Sequence, residues 1–261
     1  MTKISELIDY LHLIAPNHLQ EEYDNSGLIV GNEHDDISSV LISLDCTEQV
    51  VDEAIAMGAN LIVSHHPIVF RGLKRFTGKN YIQRVVAKAI KNDIALFSIH
   101  TNLDNVAMDG VNGKICEVLE IENTRILKNK NEDSQIGAGM IGEISPMDVM
   151  NFLDHVKQKM RLKVIKHTSL CKQKIAKVAV CGGSGSFLLQ DAIKAGADVF
   201  ITSDFKYHEF FDAEDTIIIM DIGHFESERF TIDLLYALIS NKFANFAAHC
   251  TKVDTNPVKY F

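Results

Sequence analysis

The sequence predicts an α/β protein built as two similar lobes with mostly parallel or mixed sheets. Three observations carry that prediction. Short apolar, strand-like runs alternate with segments of helical periodicity, which is the pattern of βαβ units. The alternation occurs twice, before and after a more polar middle. The two occurrences also echo each other: "VVDEAIAMGANLIVSHH" (50–66) stands beside "LLQDAIKAGADVFITSD" (188–204). Aligning Ala54 with Ala192 gives an offset of 138 (192 − 54), at which Val40 meets Val178, Gly58 meets Gly196, Ala59 meets Ala197 and His66 meets Asp204. Any two βα units resemble one another somewhat, and the length of this run of matches favours true repetition.

The elements follow in order. Lys3 to Ile14 places Glu6 and Asp9 among apolar residues at helical spacing and stops before Pro16. Ser38–Asp45 reads as a strand. The next helix has Val50, Val51, Ala54 and Met57 at helical spacing, Thr47 as N-cap and Gly58 as its stop. "ANLIVSHHP" is a strand, 81–91 a helix and 94–100 a strand. Arg125–Ser134 ("RILKNKNEDS") is polar and reads as a linker or exposed turn. Beyond it come a Gly-rich strand, a short helix with Ser145 as N-cap, strand "IAKVAVCG", helix "FLLQDAIKAG", strands "ADVFITSD" and "TIIIMDIG", and a final helix from Phe225 to Ile239. The boundaries this implies are an N-terminal lobe over 1–124, a bridging segment over 125–170 and a C-terminal lobe over 171–261.

The bulk numbers exclude several classes of protein. A chain of 261 residues, 46% hydrophobic and 23% charged, fits a soluble globular protein of one large unit or two lobes. The net charge of −9 counts against a nucleic-acid or anionic-membrane partner, unless basic residues such as Lys74, Arg75 and Lys79 line one surface. The five cysteines, Cys46, Cys116, Cys171, Cys181 and Cys250, form no CxxC pair. That argues against a disulfide framework or a Cys-rich zinc site and for reduced thiols in a cytoplasmic protein. The amphipathic N-terminus differs from a signal peptide, and no apolar run approaches the ~18 residues of a membrane span.

Residues able to do chemistry collect at the carboxyl ends of the expected strands, where open α/β sheets bind ligands. His65 and His66 end one strand; His100 and Asp104 follow a second; Ser203, Asp204 and His208 follow a third; Asp221, His224 and Glu228 follow a fourth. Side chains alternate along a strand, so adjacent histidines would face opposite ways. Pro67 ends regular pairing there and lets both imidazoles turn to one crevice. His224 and Glu228 share a face if a helix begins near Gly223. Three histidines and two carboxylates (His65, His66, His224, Asp104, Glu228) suit Zn²⁺, Mn²⁺, Fe²⁺, Co²⁺ or Ni²⁺ better than Ca²⁺. Bridging carboxylates would allow two divalent metal ions per chain, at strand ends between the lobes. The turn "CGGSGSF" offers Gly182, Gly183, Ser184 and Gly185 as a phosphate cradle, or is simply a tight βα turn; it matches no dinucleotide or P-loop pattern. Cys181 has no clear base near it in sequence.

"YDNSGLIVG", "SHHP", "HTNLD" and "GHFESE" resemble, in the same order and over nearly the whole chain, the motifs of the NIF-three-like proteins, the GTP cyclohydrolase I type 2 homologues. The resemblance implies a dinuclear divalent metal site carried by His65, His66, Asp104, His224 and Glu228. It implies two similar α/β lobes and a toroidal homohexamer built as a trimer of dimers. The chain departs from the family pattern in Tyr23, where Trp is commoner, and in Ser203, where Gly is common, and it is too short between the lobes for the large insert that some members carry.

The expectation is a metal-dependent hydrolase acting on a small, nucleotide-like substrate. Asp104 and Glu228 would bridge the ions, the three histidines would be terminal ligands, and His208 or His100 would move protons. Ring opening of GTP is the reaction the resemblance implies; phosphoester hydrolysis is an equally physical use of the same ions. The alternative is a metal-binding interaction or regulatory protein without turnover.

Overall fold

The chain begins with helix α1 (Ile4–Ile14), which buries Ile4, Leu7 and Leu11. The computed structural model describes residues 1–130 and 135–261. After α1 come β1 (Gly27–Val30), β2 (Ser39–Ser43), α2 (Glu48–Met57), β3 (Leu61–Ser64), α3 (Tyr81–Lys91), β4 (Ala95–Ser98) and a single helical turn, α4 (Thr101–Asp104). Thr47 caps α2 by accepting from the Val50 N–H at 3.3 Å, worth about 1 kcal/mol at such a position. Gly58 ends the helix in the left-handed conformation, φ 72°, that an L side chain resists. β2, β3 and β4 run parallel and bury both faces, which is why their sequences are apolar throughout and lack alternation. Leu41, Ile62 and Leu96 pack on one face against Val50, Val51 and Ala54 of α2 and Val85, Val86 and Ala89 of α3.

Next come α5 (Val111–Val118), β5 (Glu122–Asn129), β6 (Gly137–Asp148), α6 (Val149–Lys159), β7 (Lys166–His167), β8 (Lys174–Ser184), α7 (Leu189–Lys194), β9 (Val199–Ser203), β10 (Ile218–Asp221) and α8 (His224–Glu228). They form a six-stranded sheet in the order β5-β6-β8-β9-β10-β7, parallel at β8-β9-β10 and antiparallel elsewhere. The chain then returns with α9 (Thr231–Lys242) and β11 (Ala247–Cys250), and β11 adds to β2 to complete a five-stranded sheet, β1-β4-β3-β2-β11. Two sheets, each with a parallel βαβ core and antiparallel additions, are the mixed α/β architecture expected.

The internal echo is structural. Val40 pairs with Leu61 as Val178 pairs with Val199, and Leu41 with Ile62 as Ala179 with Phe200. Both partners of each pair shift by 138, so the two halves share one strand register as far as Val180; beyond it β8 shifts against β9, and Ser184 stands opposite Ser203.

Several local expectations are corrected. Residues 125–129 are not linker but part of β5, which pairs with β6 and buries Ile126 and Leu127; 131–134 lie outside the described residues. The cap of α6 is Asp148, which accepts from the Met150 N–H at 2.9 Å, because β6 runs on through Ser145 and Pro146. The final helix is two helices, α8 and α9. The chain's two compact units, Met1–Leu103 with Thr231–Lys259 and Asp104–Phe230 with Tyr260–Phe261, change over between them. These units also differ from the boundaries at 124 and 170, because β11 pairs with β2 and α5 packs with β6 and β8.

Candidate functional site

In the first unit the parallel strands deliver His65, His66 and His100 to one place. β3 ends at Ser64, and although the His65 and His66 N–H groups still bond to the Ser43 and Leu44 carbonyls, the two rings lie on one side with centroids 4.9 Å apart. His100, two residues beyond β4, brings its ring to 5.2 Å from His65 and 5.3 Å from His66. Each residue presents a ring nitrogen, and these nitrogens lie within 4.8 Å of one another. The Nδ1 atoms face outward: His65 Nδ1 to the Ile99 carbonyl, His66 Nδ1 to Asp45 and His100 Nδ1 to Asp24, all at 2.8 Å. A carbonyl or carboxylate acceptor requires the hydrogen on Nδ1, so the lone pair sits on Nε2. This is the outer arrangement that orients metal-binding histidines.

Asp24 is the hub of this cluster. It accepts from His100 Nδ1, the Thr101 N–H at 3.0 Å, the Asn25 N–H at 2.7 Å and the Thr101 and Ser26 hydroxyls. Burial works to raise its pKa, but the bond and charge of His100, with the Thr101 and Asn25 bonds, hold it well below the usual carboxylate range. Neighbouring Asn25 donates to the Val69 carbonyl at 2.6 Å and ties this turn to the chain beyond His66. "YDNSG" is thus the support of the histidines.

In the second unit α8 starts at Gly223, and His224 and Glu228 face the same way one turn apart, with Nε2 and Oε2 3.2 Å apart. His224 Nδ1 meets Asp204 at 2.6 Å. Asp204 holds φ at +60°, an uncommon conformation outside glycine and a mark of backbone shaped around a site. Asp104 and Glu228 bring carboxylate oxygens within 4.8 Å of one another, and Glu228 is buried. A buried carboxylate and a half-buried one this close call for a cation or a shared proton. Burial, then the charges of Asp104 and Glu228, push the Cys181 thiol strongly up, which removes it as a nucleophile at neutral pH.

The glycine-rich turn has a different use from the one its composition suggests. Gly182 and Gly183 lie at the end of β8, and their N–H groups donate to Asn112 Oδ1 and Ser227 Oγ, both at 2.9 Å. Those donors are engaged inside the protein, so the phosphate cradle is carried no further. Gly183 has φ +62°, and a Cβ there would lie 2.3 Å from Glu228 Oε1. The glycine makes room for the carboxylate.

The structure therefore groups His65 with His66, and brings Glu228 to His224 on one side and to Asp104 on the other. It adds His100 to the first set and places His208 in an exposed aromatic group with Tyr207 and Phe211. Sequence reading missed the orienting acids Asp24 and Asp45. Their one local signal is position: each stands within a few residues of a strand end. Zn²⁺, Mn²⁺, Fe²⁺, Co²⁺ and Ni²⁺ all accept imidazole and carboxylate together, and both sets fit such ions.

A fold and donor sets of this kind define a metal-associated α/β class, and comparison makes the class specific. The model of the family Duf34/NIF3 (NGG1p interacting factor 3) matches residues 2–257. A Clostridium perfringens protein called GTP cyclohydrolase 1 type 2 homolog is 38% identical over 228 residues, 87% of each chain. A hypothetical protein of Staphylococcus aureus superimposes with TM-score 0.93 at 31% identity over 99% of both chains. A Bacillus cereus protein related to NIF3 does so with TM-score 0.90 at 26% identity, over 100% of this chain and 99% of that one. The chain belongs to the Duf34/NIF3 family. No helix among the described residues is long and apolar enough to cross a membrane.

Proposed function

We propose that this protein is a dinuclear metal-dependent hydrolase of the cytoplasm, acting on a small nucleotide-like substrate. His65, His66, Asp104, His224 and Glu228 would hold two divalent ions. The observation that carries the reading is the Nδ1 anchoring of His65, His66 and His100, which leaves lone pairs on three neighbouring Nε2 atoms. Ions bound there would supply a Lewis acid and a water of lowered pKa. The chain's own residues do the rest. Asp45 and Asp204 orient His66 and His224. His100, whose Nδ1 donates to Asp24, would be the proton carrier; His208 is the second candidate. The name of the C. perfringens relative points to purine ring opening of GTP, and phosphoester hydrolysis uses the same groups. The resemblance also suggests a homohexamer, a trimer of dimers, which light scattering on the purified protein tests.

The family description, an interacting factor, favours a second reading: a metal-binding regulatory protein without turnover. Elemental analysis of protein purified without added metal or a His tag, beside His65→Ala and Glu228→Ala, tests the first. About two ions per chain, lost in both variants, are expected. No uptake of Zn²⁺ or Mn²⁺ by the wild type would defeat both readings. Uptake without hydrolysis of any nucleotide tried would favour the second.

A further inference from the structure

The chain from Pro67 to Asn92 contains seven lysines and arginines and no acidic residue, in a protein of net charge −9. Arg84 and Lys88 of α3 are neutralised by Glu48 and Asp52, at 2.9 and 2.8 Å. Arg71, Lys74, Arg75 and Lys79 lie in the exposed loop before α3 and make no ion pair among the described residues. The start of this loop is fixed at the histidine cluster. Asn25 holds the Val69 carbonyl, and the Phe70 ring meets His100 edge to face at 5.7 Å. Phe70 and Phe76 are 48% and 56% exposed, so each offers a ring face to solvent. Four unpaired cations and two exposed rings on a loop that begins at a proposed catalytic histidine match an anion that carries a planar ring.

We propose that the Phe70–Lys79 loop binds the phosphates of a nucleotide-like substrate, with the Phe70 and Phe76 rings against its base. The proposal rests on the hydrolase reading for the word substrate; the phosphate site is measurable without it. Guanidinium and ammonium groups beside an otherwise acidic molecule concentrate the anion locally, and the small number of cations matches one oligophosphate better than a nucleic-acid backbone.

Calorimetry in the presence of EDTA, with inorganic tripolyphosphate and with GTP as probes, tests it on the full chain. Replacing Arg71, Lys74, Arg75 and Lys79 together by alanine should weaken both probes about tenfold or more, and added salt should weaken them in the wild type. Phe70→Ala with Phe76→Ala should weaken GTP and leave tripolyphosphate unchanged. Equal affinities in the wild type and the four-alanine variant would overturn the site. GTP binding unaltered by the phenylalanine changes would overturn the role of the rings. A single-stranded oligonucleotide held far more tightly than either probe would overturn the small-molecule assignment and give the loop to nucleic acid. Failure of the metal reading looks different: the wild type takes up no ion, whatever these affinities are.

Discussion

Two residues beyond β2 the first half carries Asp45; 138 positions on in sequence, within the stretch where β8 shifts register against β9, the second half carries Gly183. Asp45 reaches the Nδ1 of His66 from the neighbouring strand end. Gly183 does the opposite and withdraws, so that Glu228 of α8 fills the space a side chain would take. The position equivalent to His66 is Asp204, and there the carboxylate orients an imidazole, His224, that comes from the next element. Both halves thus pair a carboxylate with a histidine at parallel strand ends, with the partners drawn from exchanged positions. The frame is repeated; the roles within it are not.

The largest expected effect breaks this contrast at its centre. Gly183→Ala forces a Cβ onto Glu228 at a left-handed backbone position, and metal affinity should fall by at least the ~100-fold that outer-sphere changes reach. Asp45→Gly, which opens space and fills none, should do less. Titration of metal-stripped protein reads both, and wild-type affinity in Gly183→Ala would sink the argument. Next come the orienting acids. Asp45→Asn and Asp204→Asn should each lower metal affinity by roughly 10–100-fold. The Asp45 change should be the greater, because its pair with His66 is the less exposed of the two.

A smaller effect separates the halves by pH. Asp24 is anchored by several donors in the first half, so Asp24→Asn should destabilise the protein by about 1–3 kcal/mol at pH 7 in denaturant unfolding. Its pKa is depressed on folding, so the carboxylate's contribution is present above its unfolded pKa of about 4 and is lost as pH falls further. The gap between wild type and variant should therefore close toward acid; a gap constant with pH would contradict the ionised role. The smallest effect concerns Cys181, which stands where the first half has Ser43. Burial pushes the Cys46 and Cys116 thiols up to about 12 and Cys181 higher still. In folded protein at pH 8 a thiol reagent should modify the half-buried Cys171 and Cys250 and spare these three. Fast labelling of Cys181 would count against its burial between Asp104 and Glu228.

Much of this was legible in the chain. Thr47, Gly58 and the bounds of α3 follow from capping and periodicity, which act within one turn. The HHP turn and the four-residue step from His224 to Glu228 are local in the same sense. The failures have a common cause. β5 is polar on its exposed face, so Arg125–Asn129 reads as linker until its pairing with β6 is known. Asp148 outranks Ser145 as a cap only because β6 continues through Pro146 to pair with β8. The glycines of "CGGSGS" resemble a phosphate turn in sequence, and what stands opposite them, Glu228 and Ser227, lies more than forty residues away.

The sequence by itself determined the α/β class, the twofold repeat of its parallel core, the family motifs and which histidines and carboxylates stand at strand ends. Those are consequences of side-chain period, caps and turn residues close in the chain. The tertiary structure decided that Asp24 serves His100 from 76 residues away, that Asp45 serves His66, that Gly183 yields to Glu228 and that α9 and β11 join the first sheet. The physical reason is that a hydrogen-bond partner is chosen by which strands become neighbours, and strand order is settled by burial of the sheets' apolar faces, which no local window of sequence contains.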